Sequence, residues 1–427
     1  MKCKATSPES IVVIGGGSST IGAVEGLREQ GFNGSITVIS NEGYLPIDRT
    51  KLSKALIGEP DKIQLRDQKW FDDASINTVQ DQVTDVDFLT KKVLTRSGKD
   101  FPYTKLIIAT GGQPRKLPME GFDLSNVFLL RSIYDVRHIN AEIGDKGKNI
   151  VIIGSSFIGM EVAKCTSSDN NVTIVGMEKV PLERVMGEKV GSIFQKQLEE
   201  AGVKFRMNSG VEKAIPSSSD KTKVGKVVLK GGEELNADLV ILGVGVAPAT
   251  EFLKANKSVE LEKDSSLIVD ENFQVRGLEG VYALGDIATY PYYGPGGNGN
   301  PVRIEHWNVA QNSGRTAADH IVNPDKKPKP FIPIFWSALG AQLRYCGNSS
   351  AGFDDVVIQG NPDEYKFAAY YTKGEEVIAV ASMQKDPVMT QASELMRRGG
   401  MPKKAELQKG LDICDLPLPA EVTIPAA

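Results

Sequence analysis

Cysteine and histidine are scarce in this sequence, and neither is spaced like a metal site. The 427 residues include only four cysteines and three histidines. The cysteines are scattered, with no C-x-x-C pair, at Cys3, Cys165, Cys346 and Cys414. We therefore predict reduced thiols in a reducing compartment and no bound metal.

Excess positive charge and long apolar runs are also missing. The formal net charge is −4, and we expect no nucleic-acid partner because phosphate-backbone binding needs clustered Lys and Arg. No apolar run approaches the ~20 residues needed to span a bilayer, and the polar start, residues 1–4, is unlike a signal peptide. We expect a cytoplasmic or mitochondrial protein without a membrane span, as a monomer or homodimer.

A pattern of strand, glycine turn, helix and strand occurs twice. Residues 11–14 form a short apolar run typical of buried parallel strands, and the same pattern returns near residue 150. The predicted strands are 11–14, 35–40, 149–153 and 172–175, and the predicted helices are 21–30 and 160–167. Because 427 residues are too many for one ordinary core, the two βαβ units indicate two Rossmann-type domains.

The composition changes again late in the chain. The stretch 324–330 is rich in lysine and proline, which is typical of a linker. Beyond it, apolar runs at 356–359, 366–371 and 377–383 predict an antiparallel meander, and a helix is predicted over 391–398. The predicted fold class is therefore α/β, with two Rossmann-like dinucleotide-binding domains and a C-terminal α+β domain.

The first turn matches a dinucleotide fingerprint, Gly15-x-Gly17-x-x-Thr20. Gly15 permits a tight turn, and Gly17 lets a pyrophosphate approach the backbone beside a helix N-terminus that favours anions. Thr20 stands where Gly or Ala is usual, which weakens the match. Glu42, near the end of the second strand, is placed to bind ribose hydroxyls. Such a turn can also serve packing alone.

The second turn, from Gly154 to Gly159, carries Ser156 in the middle glycine position. Glu178 follows the next strand, where an acid binds both ribose hydroxyls and repels a 2′-phosphate, so NADH is favoured over NADPH. Lys179 beside it works against that preference. Two turns in strand–helix context indicate two nucleotide sites, but their spacing does not say which nucleotide each site holds.

Several longer motifs are distinctive: Leu45-Pro-Ile-Asp-Arg-Thr-Lys-Leu-Ser-Lys54, Ala109-Thr-Gly111, Gly154-x-x-Phe-Ile-Gly-Met-Glu161, Gly243-Val-Gly-Val-Ala-Pro248, Leu284-Gly-Asp286 and Glu305-His-Trp-Asn-Val-Ala-Gln311. They resemble the pyridine nucleotide-disulphide oxidoreductase superfamily, in its ferredoxin reductase and apoptosis-inducing factor branch, over nearly the whole chain. The resemblance implies an FAD-binding domain of residues 1–122 and 248–325. It also implies an NAD(H)-binding domain of 123–247 and a C-terminal domain, 326–427, that closes over the flavin.

The fingerprints and the resemblance together assign residues to each cofactor. For FAD they are Gly15, Gly17, Ser18, Ser19, Thr20, Glu42, Arg49, Lys54, Val83, Ala109, Thr110, Gly111, Arg115, Asp286 and Trp307. For NAD(H) they are Gly154, Ser156, Phe157, Ile158, Gly159, Glu161, Glu178, Gly243, Gly245, Glu305 and His306.

Some of these roles have a plainer alternative. Asp286 accepts hydrogen bonds from the ribityl hydroxyls or serves as a helix N-cap. Arg49 binds phosphate or is a surface charge. A lone histidine such as His306 is more often structural. Phe335 and Trp336 shield the isoalloxazine or form an ordinary core pair.

Lys54, Glu161 and Phe157 are the predicted catalytic residues. By resemblance, Lys54 lies near flavin N5, Glu161 balances its charge, and the Phe157 ring covers the flavin until nicotinamide binds. A buried ion pair costs roughly several kcal/mol of desolvation, so its presence indicates function more than stability. Alternatively, Lys54 is a solvated helix residue, Glu161 is a partner of the helix dipole, and Phe157 packs in the NAD-domain core.

Two features of the resembled proteins are missing from this sequence. The redox-active cysteine pair of the superfamily is absent, and so is the Cys-x-His pair of the N-terminal Rieske iron–sulfur domain that the most similar family members often carry. Hydride cannot pass to an internal disulfide, so we predict an FAD-dependent NADH oxidoreductase whose electrons go to an external protein or small-molecule acceptor, such as ferredoxin or a quinone. The alternatives are a slow, redox-regulated signalling or scaffold flavoprotein of the apoptosis-inducing-factor type and a monodehydroascorbate-type reductase.

Overall fold

The first Rossmann-type sheet has five parallel strands. The computed structural model describes residues 8–420, so Cys3 and the polar start lie outside the described range. The strand from Ile11 to Ile14 is fully apolar and buried, as expected for a parallel strand that is covered on both faces. In order across the sheet, the strands are Val281–Ala283, Lys105–Ile108, Ser10–Ile14, Ser35–Ser40 and Ile76–Gln80.

The helices are α1 (Ser18–Glu29), α2 (Thr50–Ala55), α3 (Gln68–Asp73), α4 (Ile133–Ile143), α5 (Phe157–Thr166), α6 (Glu183–Glu200), α7 (Trp307–Val322), α8 (Val388–Arg397) and α9 (Lys404–Gln408). Helices α1 and α7 pack backbone to backbone. A Cβ on Gly22 would lie 2.3 Å from the Gln311 carbonyl oxygen, and one on Gly314 would lie 2.3 Å from that of Ser19. Glycine at both positions is therefore needed for this close approach.

The second Rossmann-type sheet repeats the plan of the first. Helices α1 and α5 begin at Ser18 and Phe157, three residues before the predicted starts at 21 and 160, because Gly17 and Ser156 are already the N-cap residues. Phe157 is therefore the first residue of a helix and does not lie inside the turn. The parallel strands are, in order, Lys204–Arg206, Asn171–Val175, Asn149–Ile153, Leu239–Leu242 and Val127–Phe128.

The C-terminal sheet has five antiparallel strands, of which three were predicted. The prediction missed the first hairpin, whose strand 334–338 follows the proline-rich stretch directly. Helix α8 packs beside the sheet and begins at Val388, three residues before the predicted start at 391. The strands are, in order, Ile334–Ala338, Gln342–Gly347, Glu376–Met383, Lys366–Lys373 and Asp355–Asn361.

Smaller sheets and 3₁₀ turns complete the described chain, and the predicted fold class is confirmed. Between residues 8 and 420, no helix is long and apolar enough to cross a membrane. The small sheets are Val211–Pro216 with Val224–Leu229 and Glu234–Asn236, Val83–Asp87 with Lys92–Thr95 and Asp100–Pro102, Gly112–Pro114 with Val246–Pro248, and Leu267–Ile268 with Ala288–Tyr292 and Asn300–Val302. The 3₁₀ turns are Pro60–Lys62, Glu251–Leu253, Gly285–Ile287, Pro362–Glu364 and Ile413–Asp415.

Candidate functional site

A cavity of about 550 Å³ opens at the carboxyl ends of the strands in the first sheet. This is where parallel α/β sheets bind their ligands. It runs from the first glycine turn to the C-terminal strand 334–338, and α5 contributes its first residues to the wall. The cavity therefore joins parts of all three predicted domains.

The first glycine turn forms one end of this cavity. Gly15 has a φ of +122°, and a Cβ there would lie 2.1 Å from the Ala109 carbonyl oxygen, so only glycine fits. Gly17, by contrast, has open space where a Cβ would point, which leaves room for a ligand beside the N-terminus of α1. Thr20 lies behind the turn, where its Oγ1 donates to the Gly15 carbonyl oxygen at 2.9 Å.

Two arginines and two carboxylates line the middle of the cavity. Arg49 contacts Glu42 at 2.5 Å and donates from Nη1 to the Arg131 carbonyl oxygen at 3.0 Å. The Arg131 side chain in turn contacts Asp286 at 3.3 Å, and burial lowers the pKa of Arg131. Sequence reasoning missed Arg131, although the apolar run 127–130 that ends at this arginine is a usable signal. The arrangement offers cations for phosphates and carboxylates for hydroxyls.

Three buried polar atoms in the cavity wall have no hydrogen-bond partner in the part of the chain that the structure describes. They are Thr110 Oγ1, His306 Nδ1 and Trp307 Nε1. Buried polar groups are nearly always paired, so these three indicate a polar ligand. Burial lowers the pKa of His306 to about 4, and its ring is therefore neutral near pH 7. Together with the glycine turn and the arginines, these atoms fit FAD.

Lys54 and Glu161 meet in the cavity. Their Nζ and Oε1 atoms lie 3.0 Å apart, and Glu161 is only 4% exposed. Ser53 Oγ donates to Glu161 Oε2, and Ser337 Oγ donates to Oε1 at 2.5 Å. Sequence reasoning missed both serines: Ser53 stands beside Lys54 in the quoted motif, which is a usable signal, whereas Ser337 belongs to none of the quoted motifs. The predicted pair is therefore present as a buried ion pair with two hydroxyl donors.

Aromatic rings cover the end of the cavity nearest the C-terminal domain. The Phe157 ring packs edge-on against Phe335 at a centroid distance of 4.7 Å, and Phe335 lies 4.6 Å from His306. Trp307 packs against Trp336, which is 44% exposed. The cavity thus reaches the molecular surface beside an indole ring.

The second glycine turn is built like the first, but Gly154, Ser155 and Ser156 lie outside the cavity lining. A Cβ on Gly154 would lie 2.3 Å from the Gly243 carbonyl oxygen, and Ser156 Oγ donates to the same oxygen at 3.1 Å. Glu178 accepts a hydrogen bond from Ser155 Oγ at 3.3 Å and contacts Arg184 Nε at 3.2 Å. The turn and Glu178 form a separate surface beside the cavity, which suits the adenosine half of NAD(H).

The remaining predicted residues divide between the cavity and other places. Arg115 is exposed, and its Nε donates to the Val246 carbonyl oxygen at 3.1 Å. It therefore stays outside the cavity, next to Gly245. Glu305 lines the cavity and contacts Arg303 at 2.5 Å. The other predicted residues in the lining are Gly15, Gly17, Ser18, Ser19, Val83, Ala109, Gly111 and Ile158, whereas Gly159 and Gly243 lie outside it.

Known proteins match this chain over most of its length. It is 36% identical to apoptosis-inducing factor 3 of Homo sapiens over 94% of this chain, which spans 65% of that protein. It is 31% identical to rhodocoxin reductase of Rhodococcus erythropolis, over 88% of this chain and 86% of the relative. The crystal structure of a ferredoxin reductase from Rhodopseudomonas palustris superposes with a TM-score of 0.87 at 28% identity, over 93% and 96% of the two chains.

Two family models match most of the described chain. A reductase C-terminal model matches residues 334–412. The pyridine nucleotide-disulphide oxidoreductase model matches residues 9–314, which include both glycine turns and most of the cavity. The chain therefore belongs to the pyridine nucleotide-disulphide oxidoreductase family.

Proposed function

We propose that this protein takes electrons from NADH through FAD and passes them to a small iron–sulfur protein of the ferredoxin type. One observation carries the proposal: Lys54 of the first Rossmann unit and Glu161 of the second meet at 3.0 Å inside one cavity. A site that joins the two nucleotide-binding units at a buried charge pair suits hydride transfer between two nucleotides.

The first unit provides the FAD site in this proposal. The pyrophosphate lies at the N-terminus of α1, with Arg49 and Arg131 as its cations, and Asp286 accepts from ribityl hydroxyls. Thr110, His306 and Trp307 supply the hydrogen bonds that their buried atoms otherwise lack. When bound, FAD accepts a hydride and releases its electrons singly.

NADH binds at the second glycine turn and reaches the cavity along α5. Glu178 holds the ribose hydroxyls and disfavours a 2′-phosphate, which makes NADH the preferred donor. The ring of Phe157, at the first position of α5, lies over the cavity and moves aside to admit the nicotinamide. Glu161 lies one turn further along the same helix face and holds Lys54 near the reacting edge.

The acceptor is external in this proposal because, within residues 8–420, no cysteine pair is placed to take the electrons. Cys165, Cys346 and Cys414 are all unpaired, and burial raises the pKa of the Cys346 thiol to about 12, which makes it unreactive. The exposed Trp336 gives a protein acceptor a point of close approach to the cavity. The names of two relatives, rhodocoxin reductase and ferredoxin reductase, support a ferredoxin-type acceptor.

Rapid mixing with NADH tests the proposal. We expect the flavin absorbance to bleach quickly and to recover faster with a [2Fe–2S] ferredoxin than with air, a quinone or the monodehydroascorbate radical. A flavin that NADH does not reduce would refute the proposal. A reduced form that persists in air and reacts slowly with every acceptor would favour a redox-regulated signalling protein, the class suggested by the name of apoptosis-inducing factor 3.

A further inference from the structure

We propose that Ser337, in the first strand of the C-terminal sheet, is a positioning residue for hydride transfer. Its hydroxyl holds the Glu161 carboxylate in the orientation that Lys54 needs, so the C-terminal domain sets the geometry of the nicotinamide site. The inference rests on the proposed function. It adds that the C-terminal domain, as well as the two nucleotide-binding units, contributes a residue that affects hydride transfer.

The hydrogen bonds of Glu161 carry the inference. Oε1 contacts Lys54 Nζ at 3.0 Å and accepts from Ser337 Oγ at 2.5 Å, while Oε2 accepts from Ser53 Oγ. Glu161 and Ser337 are 4% and 3% exposed. A carboxylate with donors on both oxygens, shielded from water, cannot rotate without losing a bond that water would not replace.

The two elements meet in matched register. Phe157 and Glu161 are four residues apart on α5, so they lie on one helix face. Phe335 and Ser337 are two residues apart on their strand, so they lie on one sheet face. Phe157 and Phe335 make the ring contact, at a centroid distance of 4.7 Å. Glu161 and Ser337 make the hydrogen bond. One apolar and one polar contact together fix the rotation of α5 against the strand.

Lys54 depends on this arrangement because its second contact is weak. Apart from Glu161, Nζ reaches the Thr50 carbonyl oxygen of its own helix at 3.4 Å. A Glu161 carboxylate that turned away would release the ammonium group from its place in the cavity. Ser337 therefore acts on the reaction through Glu161 and Lys54.

A buried serine in this sheet does not have to form such a bond. Ser382, in strand Glu376–Met383 of the same sheet, is 1% exposed, and its hydroxyl has no partner among the described residues. Ser382 lies on the opposite face of the same sheet, away from Glu161, and so provides a control for the loss of a buried serine hydroxyl.

The test compares Ser337→Ala, Ser337→Thr and Ser382→Ala in the FAD-loaded protein. We expect Ser337→Ala to keep its FAD and to be reduced by NADH about tenfold more slowly, since it loses one hydrogen bond to a charged group. Ser337→Thr keeps the hydroxyl and should recover most of the rate, while Ser382→Ala should match the wild type. NAD⁺ binding, measured from its perturbation of the flavin spectrum, should weaken in Ser337→Ala and in no other variant.

A second comparison separates positioning from packing. In a Glu161→Ala background, which removes the acceptor of the Ser337 hydrogen bond, adding Ser337→Ala should slow reduction no further, because the serine acts through that side chain. Wild-type rates and wild-type NAD⁺ binding in Ser337→Ala would overturn the inference, as would equal slowing in both backgrounds. If the wild-type flavin is not reduced by NADH, the proposed function itself fails, which is a different result.

Discussion

At the scale of single residues, the ion pair between Lys54 and Glu161 invites the most direct test. We expect Lys54→Ala and Glu161→Ala each to slow flavin reduction by about ten- to a hundredfold, the effect of losing one charge-assisted contact. The double variant should be little slower than either single variant, since groups that act as a unit are not additive. Lys51→Ala, an exposed lysine on the same helix, is the control. Normal reduction rates with a lowered melting temperature would assign the pair to stability alone.

Glu178 determines the choice between the two nicotinamide nucleotides in our proposal. Its carboxylate would lie beside a 2′-phosphate, and Glu178→Ala removes that repulsion together with the ribose contact. We expect the wild-type protein to have a higher kcat/KM for NADH than for NADPH. In Glu178→Ala, the ratio of these two values should fall by about ten- to a hundredfold. Glu199→Ala, which replaces an exposed glutamate near the other end of α6, should leave the ratio unchanged. Equal kcat/KM values for both nucleotides in the wild type would contradict this role.

His306 makes stability depend on pH. Burial lowers its pKa from 6.5 to about 4. The unfolded chain therefore takes up a proton between about pH 6.5 and 4 that the folded chain does not. The contribution of the neutral His306 ring to the free energy of unfolding is fully present above pH 6.5 and is lost as the pH falls to 4. We expect the melting temperature of the FAD-free protein to fall less over that pH range in His306→Phe than in the wild type or in His138→Phe. Equal losses in all three would contradict the lowered pKa.

At the scale of elements, the first glycine turn contains one glycine that the fold requires, Gly15, and one that only a bound ligand would require, Gly17. Ala at position 15 meets a carbonyl oxygen at 2.1 Å and needs a positive φ, so Gly15→Ala should lower the free energy of unfolding by roughly 1–3 kcal/mol or more. Ala at position 17 meets no protein atom within 4 Å. Gly17→Ala should therefore melt like the wild type without FAD and yet bind FAD more weakly, as measured by titration. Unchanged FAD affinity would show that the ligand does not approach Gly17.

Elements with a strong local pattern could be predicted from the sequence, and elements defined by distant contacts could not. The uninterrupted apolar runs at 11–14 and 150–153 predicted both parallel sheets, and the glycine turns located the helices that follow them. The hairpin 334–347 was missed because its first strand lacks an apolar face in sequence: its one buried residue is the polar Ser337, while Trp336 and Ala338 are exposed. Ser53 and Ser337 lie 108 and 176 residues from Glu161 in sequence, so only the folded chain shows that they share its carboxylate.

At the scale of the whole molecule, FAD connects parts of the chain that are far apart in sequence. The purified protein should be yellow, with one FAD per chain and no covalent link. Because FAD binds the folded state, a hundredfold excess over its Kd should stabilise that state by about 2.7 kcal/mol. The melting temperature should then rise by a few degrees on FAD addition. A colourless protein that stays colourless after incubation with FAD would contradict both the cofactor and the site.

The contact between α1 and α7 has a consequence for the length of ligand that the cavity can hold. Both helices begin at the cavity wall, α1 at Ser18 and α7 at Trp307, and their separation is set where Gly22 and Gly314 touch backbone carbonyl oxygens. This contact therefore fixes the distance between the two helix N-termini at the cavity wall, Ser18 and Trp307. Side chains that line the cavity can change without altering that distance. A single methyl group at position 22, outside the cavity lining, would instead push the two helices apart and move one N-terminus relative to the other.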